Sequence, residues 1–289
     1  MSSVYVGASE TARKVAGMYV GIDGLARKVI KGYIGDTSGL ARQFYSAAQP
    51  FAYAYTGECT ESELTIDGVV YTMLTLTSSG TLSVTRAISA DVWLCGGGAN
   101  GKRFLNSDAG GGGGGGYVNS GTLIIEASLA ITVPSAGGVA DCGGIIANPG
   151  SSDDLSDTRR GTDGGSGGGE GGSNSYSIQP LIGKGAGVST VPTQFGLTQA
   201  HCAGGAGGTY LDYQYGGNGG SNGSDGYEKT LDLSTGNKGG AVGGGDGNSS
   251  ATFYGGGGGG ANCRSSGTAF AGSGYQGVVY VRWKKEDAA

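Results

Sequence analysis

The chain has 289 residues, of which 66 are Gly and five are Pro; 37% are hydrophobic, 14% are charged and 16 are Tyr. Its formal charge of −5 argues against wholesale nucleic-acid binding. Disorder would call for more charge and fewer aromatics, and collagen for abundant proline with glycine at every third position, so neither fits a chain whose glycines come in blocks.

Residues 1–46 contain an internal repeat. Tyr5-Val6-Gly7 recurs as Tyr19-Val20-Gly21 and Tyr33-Ile34-Gly35, and Ala12-Arg13-Lys14-Val15 recurs as Ala26-Arg27-Lys28-Val29 and, one residue late, as Ala41-Arg42-Gln43-Phe44. Each copy reads as two extended runs around a turn, the signal of a β-hairpin, and the three together predict a small meander. Such a unit has too few apolar residues to bury a core alone, so completion by copies of itself or by a partner is expected. It carries six Lys/Arg against three Asp/Glu, a basic head on an acidic body.

After a linker at 47–50, strands are predicted at 69–77, 81–85, 90–95, 122–125 and 131–133 from alternation and β-formers, and a last one at 277–283. Segment 47–95 and the closing 275–289 are expected to form a β-sandwich-like base that clamps the glycine-rich region 96–274. No apolar stretch has the length of a membrane span and the start lacks a signal-peptide pattern, which predicts folding in the cytoplasm without membrane insertion. The five cysteines, Cys59, Cys95, Cys142, Cys202 and Cys263, include no CxxC pair and are expected as buried reduced thiols.

Glycine blocks such as 110–116, 167–169 and 255–260 cannot make a side-chain core. Without Cβ atoms, however, polyproline-II-like segments can pack side by side through N–H to C=O bonds and Cα–H to O contacts. This predicts a polyglycine-II bundle whose intervening inserts form its loop tips, where recognition usually resides. The inserts include 102–109, 145–160, 174–199, 209–215, 227–237, 248–254 and 262–270.

Enzymatic signals are weak. The stretch from Gly96 to Lys102 fits GxxxxGK, but Arg103 follows where a phosphate loop needs Ser or Thr and a helix. Gly245-Asp246-Gly247-Asn248 lacks the sustained nonapeptide period of calcium-binding repeats. His201, the single histidine, adjoins Cys202 and reads as a packed residue, and Asp153-Asp154 as a solvated turn. No catalytic residue, metal site or cofactor is expected. Tyr210, Tyr213, Tyr215, Phe253 and Tyr254 offer rigid amphipathic area suited to sugar faces and protein surfaces, or alternatively to capping the rods.

The repeats, the run Ala90-Asp91-Val92-Trp93-Leu94-Cys95-Gly96-Gly97-Gly98, the glycine blocks and the closing Gly277-Val278-Val279-Tyr280-Val281-Arg282-Trp283 resemble glycine-rich tail proteins of bacteriophages of gut Firmicutes. The glycine-rich half is also similar to the polyglycine-II domains of tail-tip adhesins from T-even-type phages and of certain animal receptor tyrosine kinases. The resemblance implies a mainly β, non-enzymatic virion protein exposed on the particle: a tail fibre or adhesin whose loops touch a glycan or protein of the host surface. Residues 1–46 would then join other virion proteins, and a homotrimer is expected. The alternative is a head-fibre or decoration protein without receptor binding.

Overall fold

A computed structural model describes residues 51–102, 110–151, 162–168, 189–205, 207, 251, 253–260 and 271–285, and the backbone of 5–8, 11–14, 19–22, 25–28, 31–35 and 41–46. The chain divides into two compact units, Met1–Pro50 and Phe51–Ala289.

In the first unit each repeat is one antiparallel hairpin: β1 (Tyr5–Ala8) with β2 (Thr11–Lys14), β3 (Tyr19–Ile22) with β4 (Leu25–Lys28), and β5 (Lys31–Gly35) with β6 (Ala41–Ser46). The first two share one register, Tyr5 opposite Lys14 and Tyr19 opposite Lys28. In the third, the late Ala41-Arg42 is absorbed between Gly35 and Ala41, and the register shifts between Gly32 and Tyr33. Among the described residues the expected meander is not seen: the strands pair within their own repeat, in three two-stranded sheets.

The second unit contains β7 (Tyr53–Tyr55), β8 (Cys59–Ile66), β9 (Val69–Leu76), β10 (Gly80–Val84), β11 (Ile88–Cys95), β12 (Val118–Ile125), β13 (Ser128–Thr132), β14 (Ala140–Cys142), β15 (Ile145–Ala147) and β16 (Val278–Lys284). They form two antiparallel five-stranded sheets, in the orders β15-β14-β13-β10-β7 and β12-β11-β16-β9-β8. The protein is mainly β, as expected. The final strand, β16, lies between β11 and β9, with Trp93 opposite Tyr280 and Trp283 opposite Thr72.

Period-two alternation sends Val92, Leu94, Val279 and Val281 into the core shared with the other sheet, while Trp93, Cys95, Val278 and Tyr280 enter a second apolar cluster on the opposite face. Both faces of β11 and β16 are thus covered, which is why these strands read as nearly continuous apolar runs. The β8–β9 turn is Asp67-Gly68, with φ of 50° and 78°, the left-handed pair of a type I′ hairpin whose twist matches the flanking strands. Residues 145–147, read as part of a polar insert, instead form β15; their hairpin with β14 turns on Gly143 and Gly144.

Candidate functional site

At the end of the sandwich marked by Cys95, Val118 and Val278, the chain continues as bare-backbone rods. The amides of Gly96, Ala99 and Lys102 donate to the carbonyls of Tyr117, Gly114 and Gly111, whereas those of Gly98 and Gly101 donate to Tyr275 and Gly272. Each neighbour is met at every third residue, the repeat of a polyproline-II helix, and the falling partner numbers make both pairings antiparallel. Gly113 and Gly116 likewise donate to Gly258 and Gly255, each at 2.8 Å. Rod 110–117 is central: it bonds to rods 96–102, 162–168, 201–205 and 255–260 and to Asn148.

These glycines serve close approach. A Cβ on Gly98 would overlap the carbonyl of Gly256, one on Gly101 that of Gly259, and one on Gly257 that of Gly113. Side chains enter sparingly: Thr162 Oγ1 accepts from the Gly114 amide, and Asn100 Oδ1 from the Gly274 amide. The phosphate-loop match at 96–102 has no amide of those six free for an anion, because Gly96, Gly97, Gly98, Ala99, Gly101 and Lys102 all donate to carbonyls within the unit.

A strap, 189–202, covers the outer face of the β12-β11-β16-β9-β8 sheet. It contains a 3-10 turn, Thr193–Phe195, ended by Gly196 at φ 69°. Phe195 is buried against Tyr280, at 6.1 Å between ring centroids. Arg282 fastens the strap to the sheet. Its guanidinium lies 4.4 Å from the Tyr71 ring centroid and 4.8 Å from that of Phe195, donates to Asp91 Oδ2 from Nε and Nη2, and donates from Nη1 to the Gln194 carbonyl.

His201, at the strap's end, is buried among Trp93, Tyr254 and Tyr280. Nδ1 faces the Gln199 carbonyl at 3.1 Å and so carries the proton; Nε2 accepts from the Tyr280 hydroxyl at 2.7 Å. Burial lowers the imidazole pKa despite the Gln199 hydrogen bond, leaving the ring neutral at neutral pH. The ring is thus packed and neutral, with both nitrogens hydrogen-bonded.

The predicted site residues fall in two groups. Tyr210, Tyr213 and Tyr215 lie outside the described residues. Phe253 and Tyr254 open a tight turn in which the Gly256 amide donates to the Phe253 carbonyl and Gly255 takes φ 69°. This turn stands at the sandwich end of the bundle. Tyr254 stacks on His201 at 6.2 Å and meets Tyr275 at 6.0 Å between centroids. Burial first, then Tyr275 and Cys95, push its phenol pKa up. Phe253 and Tyr275 are 42% and 37% exposed, so the turn offers an aromatic ledge held on rigid backing. Sequence reasoning missed Tyr275; the signal was an isolated aromatic between Gly274 and the closing strand. Among the described residues no three His, Cys, Asp or Glu side chains are grouped to hold a metal.

A family model described as a glycine-rich domain matches residues 76–284, from the end of β9 through β16. The chain belongs to this glycine-rich domain family. The matched span takes in the rods, the strap and the ledge, but not the hairpin repeats or β8. No curated protein and no solved structure matches the chain. Of the cysteines, Cys95, Cys142 and Cys202 are buried as free thiols, as expected, whereas Cys59 is exposed at the start of edge strand β8, and Cys263 lies outside the described residues. Burial, with Asp141 adding to it, pushes the Cys142 thiol up to about 12.

Proposed function

We propose that this glycine-rich domain protein is a non-enzymatic bacteriophage virion component, a tail fibre or tail-tip adhesin that binds a glycan or protein on the host cell. The observation that carries the reading is a rigid backbone bundle from which the chain leaves and returns between rods. The 46 residues from 206 to 251, for instance, join one rod to the Phe253-Tyr254 turn before the next. Such a scaffold can hold recognition segments without a large side-chain core. Binding is assigned to Tyr210, Tyr213, Tyr215, Phe253 and Tyr254. The basic hairpins of residues 1–46 join other virion proteins, and a homotrimer supplies avidity.

Removing the whole stretch 205–260 would take out rod 255–260, so the test uses point changes. A variant with Tyr210, Tyr213, Tyr215 and Phe253 all changed to Ser should fold, still bind virions, and lose at least about tenfold in adsorption to host cells. Equal adsorption by the variant and the unaltered protein would refute the assignment. Binding of the unaltered protein to virions but not to cells would favour a head-fibre or decoration protein.

A further inference from the structure

Cys95 and Cys202 come together where three parts of the molecule meet: the end of β11, the strap, and the start of rod 255–260. A Cβ built on Gly255 would stand 2.6 Å from the Cys202 sulfur and 3.1 Å from the Cys95 sulfur, so both thiols flank one point that only a glycine leaves open. Both residues are fully buried, and their two sulfurs share this one neighbouring point. Cys202 also has φ 55°, in the left-handed region that residues with a Cβ seldom occupy. Its backbone is held there from both sides. The amide donates to the Tyr254 carbonyl at 2.9 Å, and the carbonyl lies against Gly115. Packing alone does not require a second sulfur here, and strained backbone that presents a reactive side chain to a like partner points to chemistry.

We propose that Cys95 and Cys202 are a dithiol site that closes to an intramolecular disulfide, with a low-molecular-weight disulfide such as oxidised glutathione as its oxidant. One protein thiolate attacks a glutathione sulfur, breaking the glutathione S–S bond and releasing one reduced glutathione. The second protein thiolate then attacks the protein sulfur of the mixed disulfide and releases the other. The protein loses two protons and two electrons, and the oxidised glutathione becomes two thiols. Burial raises the Cys202 thiol pKa and shields both sulfurs from oxidant until the strap opens locally, so closure is slow in the native protein and is triggered by transfer from a reducing to an oxidising compartment. The resulting bond would tie β11 to the strap and close a long loop through rods 96–102, 110–117 and 162–168, constraining the unfolded chain.

The test uses the full chain carrying Cys59→Ser and Cys263→Ser, incubated with oxidised glutathione, then unfolded and alkylated. Expected are a peptide linking Cys95 to Cys202, a free Cys142, and a Tm raised by about 5–10 °C that dithiothreitol returns to its starting value. Alkylation of both Cys95 and Cys202 after prolonged oxidation would overturn the proposal, as would a persistent glutathione adduct or a link from either residue to Cys142. Because the reading comes from the native cysteines, it does not depend on whether a Cys202→Ser variant folds.

Discussion

Two kinds of glycine coexist in this chain and cost different amounts to replace. Gly144 takes φ 86° with open space around it, so Gly144→Ala meets only backbone strain, about 1 kcal/mol. Gly98 needs no unusual φ, yet a methyl there would collide with the Gly256 carbonyl while the residue's own amide is tied to Tyr275. Neither rod can yield without breaking other bonds, so Gly98→Ala should cost roughly 3 kcal/mol or more, measured by urea unfolding. Equal losses for the two variants would show that close backbone approach is not what selects glycine in the rods. That glycine blocks would pack was legible from composition. Which carbonyl faces which glycine was not, because partners such as Gly98 and Gly256 are set by how the rods are arranged in space.

At the scale of elements, legibility followed hydrophobic pattern. β9, β11 and β16 were readable because alternation or a continuous apolar run marks a strand covered on one or both faces. β8 went unread although Asp67-Gly68 announces its turn, because an exposed edge strand reading Cys-Thr-Glu-Ser-Glu-Leu-Thr-Ile shows little apolar periodicity. β7, β14 and β15 have three residues each, too few for a pattern. The strap was hidden for another reason: Phe195 and His201 sit among polar residues without a period, and only Tyr280 and Arg282, far along the chain, explain them. The strap also carries a pH dependence. His201 is held neutral by burial beside Tyr280, so its folded pKa lies below the ordinary value near 6.5. The contribution is complete above that ordinary value and is lost as pH falls through the folded one. Calorimetry should give a Tm that is level with respect to this group above about pH 7 and declines as pH falls below about 6.5. His201→Gln should flatten that decline. A decline unchanged in the variant would remove His201 as its source.

At the scale of the whole second unit, side-chain packing and backbone packing divide the work. The sandwich buries apolar side chains such as Leu74, Leu82 and Val281 between its sheets, and its far face takes the strap. The rods add amide hydrogen bonds and bring carbonyl oxygens close against glycine residues, an approach suited to Cα–H to O contacts worth about 0.5–1 kcal/mol each. Strands β11, β12 and β16 lead directly into rods 96–102, 110–117 and 271–277, so the sheet sets the spacing at which the bundle begins. The described strands of the basic hairpins form two-stranded sheets, which are marginal in water by themselves, and this motivates the proposed assembly with other chains. The central claim is that the rods are solid. Amide hydrogen exchange tests it most directly, by comparing Gly98, Gly101, Gly113, Gly116, Gly257 and Gly258 with Gly144, whose amide meets only the Asp141 carboxylate in an exposed turn. The six rod amides should exchange at least about a thousandfold more slowly than a random coil, while Gly144 exchanges fast. Random-coil rates at all seven would contradict the account.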